Sequence, residues 1–189
     1  MTKQAEKSAI TKQRIMDAFW KLADTHGLLH VTVSEVMNLA GYNRGTFYVY
    51  FLDLNDLIQQ TEEEILKDIN EELFQVYNLH TEDLHTLFYQ RLIQLITKYE
   101  DKIFILLGTD GDPTFLKRIR ENAGNFVRHL IGSDAFSEEQ DYIAAYTISA
   151  LIGTLTYWYE QGKKVDLYEM LMTIKKLYVH GVDSLINHT

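Results

Sequence analysis

The sequence predicts an all-α fold: an N-terminal three-helix helix-turn-helix module followed by a helical bundle, about nine helices in all. Three observations carry this. Apolar residues recur at spacings of three and four along most of the chain, and no segment alternates as a half-buried strand would. The 189 residues include one proline, Pro113, so the strongest helix breaker is scarce. The breaks between periodic segments are rich in Gly, Asp and Ser, as helix connections are.

The first helix is expected from about Ser8 to His26, with Ile10, Ile15, Ala18, Phe19, Leu22 and Ala23 near one face. Gly27 ends it. Thr32, with Glu35 three residues on, makes a capping box for a second helix, Val33–Ala40, whose Val36, Leu39 and Ala40 should face inward. Gly41-Tyr42-Asn43 is a tight break, and Asn43 can cap a short third helix, Arg44–Tyr50. Phe47 and Phe51 should pack inward, leaving Tyr42, Arg44, Thr46, Tyr48, Val49 and Tyr50 exposed. A fourth helix, Leu54–Leu79, capped by Asp53 or Asn55, would be roughly 39 Å long. Four or five more helices fit the rest, at Glu82–Tyr99, Asp101–Leu107, Pro113–Ile131, Ser137–Gln161 and Asp166–Asn187. Pro113 suits a first turn.

Composition narrows the function. Hydrophobic residues make up 46% of the chain, enough for a packed core. The absence of cysteine excludes disulfides and thiolate metal sites. The opening MTKQAEKSAITKQ is polar, so no signal peptide is expected. No apolar run approaches the roughly 18–20 residues of a membrane span, so a cytoplasmic chain with no membrane partner is expected. The net charge is −9, but residues 1–51 carry six Lys and Arg against four acids. That part is +2 and the remainder −11, which fits a basic contact module on an acidic body. There is no Gly-rich phosphate loop, no G-x-S-x-G and no H-E-x-x-H. Gly27 breaks the helix between His26 and His30, so they should not share a metal. Neither an enzyme nor a cofactor is expected.

Two short helices joined by a Gly-containing turn form the helix-turn-helix pattern, whose second helix enters the major groove of DNA. Thr46 and Val49 can meet a thymine methyl or a base edge, and tyrosine hydroxyls suit phosphate oxygens. Gly45 lets the backbone approach the sugar-phosphate edge. The stretch TVSEVMNLAGYNRGTFYVYFLDLNDLI is similar to the TetR-family signature. It matches at Thr32, Val36, Leu39-Ala40-Gly41, Gly45-Thr46-Phe47-Tyr48, Phe51 and Leu57. The resemblance implies that Val33 and Ser34 start the second helix beside the DNA backbone. It also gives Tyr42, Asn43, Gly45, Thr46, Tyr48, Val49 and Tyr50 the contact positions, with Arg44 exposed among them. Tyr42-Asn43 departs from the usual Val-Ser, and Tyr50 from the usual His. Leu52 and Leu54 stand where lysines commonly hold phosphate, which should weaken binding and flatten its salt dependence. Lys7, Lys12 and Arg14 supply part of that charge.

The same resemblance implies a DNA-binding domain at 1–53 and a ligand-binding and dimerisation domain at 54–189. The last two helices would pair with their symmetry mates. Their stripes are Ile148, Leu151, Ile152 and Leu155 on one, and Ile174, Leu177 and Tyr178 on the other; Ala144, Ala145, Ala150 and Gly153 permit close approach. A homodimer would read a pseudo-palindromic double-stranded operator, with recognition helices about 34 Å apart. Candidate pocket residues are Phe88, Arg91, Phe104, Phe115, Tyr146 and Trp158, mostly apolar as pockets are. Arg91 would meet an anionic ligand or pair with a nearby acid. LLGTDGDPTFLKRIRENAGNF and GTLTYWYEQGKKVDLYEML further resemble regulators similar to the dihydroxyacetone-kinase activator. In that subgroup a co-regulator protein can replace the small-molecule inducer. The implied function is a ligand-responsive transcriptional regulator, more commonly a repressor. The alternative is a helical interaction protein whose C-terminal domain binds a partner protein.

Overall fold

Local capping chemistry sets the first half of the fold. Gly27 has φ 86°, and a short 3-10 turn, Leu28–His30, follows it. The Thr32 side chain accepts from the Glu35 amide, and the Glu35 carboxylate accepts from the Thr32 amide at 2.9 Å. The capping box therefore forms as expected. In the computed structural model, residues 3–78, 84–108, 111–131 and 138–180 are described. Among them are eight α-helices and no strand: α1 Lys3–His26, α2 Val33–Ala40, α3 Arg44–Tyr50, α4 Leu54–Asn78, α5 Leu84–Leu107, α6 Pro113–Ile131, α7 Glu138–Glu160 and α8 Leu167–His180. The expected limits at Leu79, Glu82, Ser137 and Asn187 lie outside the described residues.

Three expectations are corrected. α1 begins at Lys3 rather than Ser8, because Lys, Gln, Ala and Glu are good helix formers without any apolar stripe. Ile10 lies off the buried face, while Met16 and Trp20 lie on it. In α2 the inward arc is Val33, Val36, Met37 and Ala40, at the i, i+3, i+4, i+7 spacing. Leu39 falls off that arc and is 47% exposed. The break expected between helices at 82–99 and 101–107 is present: α5 is two helical stretches joined at Tyr99, which takes φ −118° and ψ 18°.

The chain divides into two compact units. The first holds residues 1–65 and 99–113. Its core includes Ile15, Phe19, Trp20, Val36, Phe47, Phe51, Leu57, Ile65 and Leu106. The Trp20 indole N–H donates to Thr61 Oγ1 at 3.3 Å, so the buried ring keeps a partner for its polar edge. The Tyr99 hydroxyl donates to the Glu64 carboxylate at 3.2 Å. The second unit holds 66–98 and 114–189, and Tyr89, Phe115, Ala144, Ile148, Leu155, Leu171 and Ile174 are buried in it. Trp158 is buried there too, its indole N–H donating to the Val165 carbonyl at 2.8 Å. No helix among the described residues is long and apolar enough to cross a membrane.

Candidate nucleic-acid interface and ligand cavity

Between α2 and α3 the chain turns on Gly41, which adopts the left-handed conformation, φ 77° and ψ 28°, that glycine takes without strain. The Tyr42 amide reaches back to the Met37 carbonyl at 3.0 Å. Asn43 then caps α3: its Oδ1 accepts from the Thr46 amide at 3.0 Å and from Thr46 Oγ1 at 3.1 Å. A Cβ at Gly45 would stand 3.3 Å from that same Oδ1. Gly45 thus leaves room for the cap as well as for an approaching backbone.

α3 has two unlike faces. Phe47 and Phe51 are buried with ring centroids 5.3 Å apart, and they anchor the helix. The opposite face presents Val49, 73% exposed, and Tyr48. The Arg44 guanidinium lies 6.0 Å from the Tyr48 ring centroid and donates to its hydroxyl at 3.3 Å. Arg44 and Tyr48 therefore form one cationic, aromatic surface. Thr46 and Tyr50 are half-buried, and Ser34 is exposed at the start of α2.

Two of the expected contact residues are held by α1, which the sequence reading missed. Hydrogen bonds from Thr11 and then Arg14 draw the Tyr42 phenol below its ordinary range. The Tyr50 hydroxyl accepts from Ser8 Oγ at 3.2 Å. Lys12 Nζ sits over the Phe51 ring, 5.6 Å from its centroid. Ser8, Thr11, Lys12 and Ile15 share one helix face, and that spacing was the available signal.

At the start of α4, Asp53 rather than Asn55 is the cap, its Oδ1 accepting from the Asp56 amide at 2.8 Å. Asp56 accepts from the Leu52 amide at 2.7 Å and from the Gln60 side chain at 3.0 Å. The Leu52 amide and then Gln60 hold the Asp56 carboxyl below the usual carboxylate range. Leu52 itself is exposed and brings no charge, and Leu54 is half-buried.

The second unit holds an apolar cavity of about 130 Å³ that opens to solvent along α7, where the lining residues Tyr146, Ala150 and Thr154 are exposed. Leu73 of α4 and Phe88 and Tyr89 of α5 form part of its wall, with Ala123 and Phe126 of α6. The rings of Phe88 and Phe126 are stacked, 5.5 Å apart. α7 contributes residues from Tyr146 to Thr154, and α8 contributes Ile174, Leu177 and Tyr178. Burial, with a smaller effect of Tyr178, pushes the Tyr89 phenol up to about 12.

Of the expected pocket residues, Phe88 and Tyr146 line this cavity. Phe104 is buried in the first unit and Phe115 in the second, while Trp158 is tied to Val165. Arg91 pairs with Glu72 at 3.4 Å. The stripe expected to reach a dimer interface faces inward: Ile148, Leu155 and Ile174 are buried, and Leu151 and Ile152 are half-buried. Ile148, Leu151, Ile174, Leu177 and Tyr178 all line the cavity. The other face of α7 is the exposed one, with Tyr142, Tyr146, Ala150, Gly153 and Tyr157.

A family model described as a transcriptional regulator C-terminal region, TetR_C_8, matches residues 82–179. No curated protein matches the chain in sequence. In fold it is similar to the fatty acid degradation regulator FadR of Bacillus halodurans, at 18% identity and a TM-score of 0.71, over 91% of this chain and 96% of that one. SmeT, repressor of the Stenotrophomonas maltophilia multidrug efflux pump SmeDEF, is similar at 16% identity and a TM-score of 0.67, over 88% and 87%. FadR of Bacillus subtilis in complex with stearoyl-CoA is similar at 18% identity and a TM-score of 0.67, over 90% and 98%.

Proposed function

Because this chain belongs to the TetR family of transcriptional regulators, we propose that it is a cytoplasmic repressor that binds a pseudo-palindromic DNA operator as a homodimer and releases it when a small molecule enters the second unit. The observation that carries this is the division of α3: Phe47 and Phe51 are anchored, while Arg44, Tyr48 and Val49 stand exposed. An anchored short helix with one cationic, aromatic face is what insertion into a major groove requires. Arg44 and Tyr48 suit phosphate and base edges, and Val49 suits a thymine methyl. Tyr42 and Tyr50, held by α1, act as positioners that fix α3 against the rest of the module. DNA binding is assigned to residues 1–53, and ligand binding and dimerisation to 54–189.

The apolar cavity supports control by a small molecule. α4 carries Leu73 of the cavity wall and, nearer its start, Asp56 and Thr61 of the first unit. A ligand that displaces Leu73 therefore acts on the helix that tethers the DNA-contacting module. The similar SmeT is a repressor and the similar FadR binds stearoyl-CoA, which agrees with a ligand-responsive repressor. A narrower proposal, membership of the dihydroxyacetone-kinase-regulator-like subgroup, rests on the segments 106–126 and 153–171 alone.

Fluorescence anisotropy with duplexes from the DNA flanking the protein's own coding region tests the reading. One duplex should bind far better than random sequence in about 50 mM salt. Val49→Asp should abolish the preference while leaving helicity unchanged. No preference for any flanking duplex, or equal binding by the Val49→Asp variant, would refute DNA reading by α3.

A further inference from the structure

Thr147 on α7 sets the cavity's chemistry. Five other helical threonines, Thr11, Thr25, Thr61, Thr154 and Thr173, donate their hydroxyls to the carbonyl four residues back. This is the usual way a helix satisfies such a group. Thr147 does not. Its Oγ1 is buried and has no hydrogen-bond partner among the described residues, and Thr147 lines the cavity. Buried hydroxyls are almost always partnered, so an orphan on a residue of the cavity wall, one side-chain rotation from the cavity, marks a place where a polar atom of a guest can be bound.

The remaining wall says what carries that atom. The described lining residues are aliphatic, aromatic or hydroxyl-bearing, and none of them is Asp, Glu, Lys, Arg or His. A charged group entering such a wall loses its hydration with no counter-charge to replace it. Phe88 and Phe126, already stacked, offer ring faces to a flat guest. The volume, about 130 Å³, suits one ring. An apolar cavity of about 150 Å³ admits a benzene-sized molecule, whereas drug-sized ligands take roughly 300 Å³ or more.

We infer that this cavity binds an uncharged molecule the size of one substituted aromatic ring, carrying a single hydrogen-bonding oxygen that pairs with Thr147. This rests on the ligand-responsive reading above and narrows it to a phenol-like class. It sets the chain apart from a regulator whose effector is a long, charged amphiphile.

The test uses the full-length protein and four probes in calorimetric titrations: 4-propylphenol, propylbenzene, 4-propylbenzoate and lauroyl-CoA. 4-Propylphenol should bind best. Thr147→Val, which keeps the shape, should weaken it roughly ten-fold and leave propylbenzene unchanged, the effect of one lost hydrogen bond. The same variant should melt no lower than the parent without ligand, because it removes an unpaired buried hydroxyl. Ala123→Leu should block both neutral probes by filling the wall. Tighter binding of the benzoate or of lauroyl-CoA, no binding of either neutral probe, or an unchanged phenol affinity in Thr147→Val would overturn the inference. Operator release is read separately. Release by lauroyl-CoA alone keeps the regulator reading and refutes the ligand class. Phenol binding through Thr147 without release keeps the class and refutes the inducer role.

Discussion

Asn43 and Gly45 act as a pair. The cap oxygen of Asn43 serves both donors of Thr46, and the space beside it exists because position 45 has no Cβ. Asn43→Ala should cost about 1 kcal/mol of stability through the lost cap. Gly45→Ala should gain helix propensity but crowd the cap oxygen, so the two effects oppose. In an Asn43→Ala background the crowding is gone, and Gly45→Ala should then stabilise more than it does in the parent. Urea melts of the four proteins give that coupling directly, and additive effects would show that the cap does not feel position 45. Caps of this kind were legible from the sequence: Asn43 and the Thr32–Glu35 box depend on neighbours three residues away. The attachment of Tyr42 to Thr11 and Arg14, and of Tyr50 to Ser8, was not legible. The spacing of Ser8, Thr11 and Lys12 marks one face of α1, but it does not say which residues that face meets.

At the scale of elements, carboxylates hold the starts of α2 and α4. Glu35 is kept below its ordinary range by the Thr32 hydroxyl and then by the Thr32 amide, and Asp56 by the Leu52 amide and then by Gln60. Both groups are acids whose folded-state affinity for protons is reduced. Their contribution is therefore present above the unfolded values, near pH 4, and is lost as pH falls through the lower folded values. Melting temperature should drop between about pH 5 and pH 3 more steeply in the parent than in a Glu35→Gln, Asp56→Asn double variant. Circular dichroism melts across that range decide it, and parallel curves would show that these bonds are not coupled to folding. Element type was readable throughout, because most helices keep a 3.6-residue stripe and α7, apolar on both sides, is long and bounded by Gly-containing segments. Element limits were less so: the polar start of α1 has no stripe to reveal it, whereas the break inside α5 was readable and falls at Tyr99.

At the scale of the whole molecule, α7 poses the problem that its sequence hid. A helix apolar on all sides belongs where it is covered on all sides. One side of α7, with Ala144, Ile148, Leu155 and Trp158, is covered by its own unit. The other leaves Tyr142 75% and Tyr157 63% exposed, with Ala150 and Gly153 between them. Periodicity could not tell the inner stripe from the outer one, since both are apolar, and so the expected interface fell on the inner stripe. Small residues flanked by tyrosines suit close approach of a second α7 across a two-fold axis. Gly153 offers a clean test, because a Cβ there meets nothing within 4 Å in the single chain. Gly153→Arg should leave the monomer folded and place a charge where the partner helix would lie. Light scattering should then report a single chain of 22.1 kDa where the parent gives twice that mass. The concentration dependence of the parent's melting temperature should vanish with the dimer. Operator affinity should fall at least a hundred-fold, since one recognition helix reads only one half-site. A Gly153→Arg protein that stays dimeric would move the interface off this face of α7.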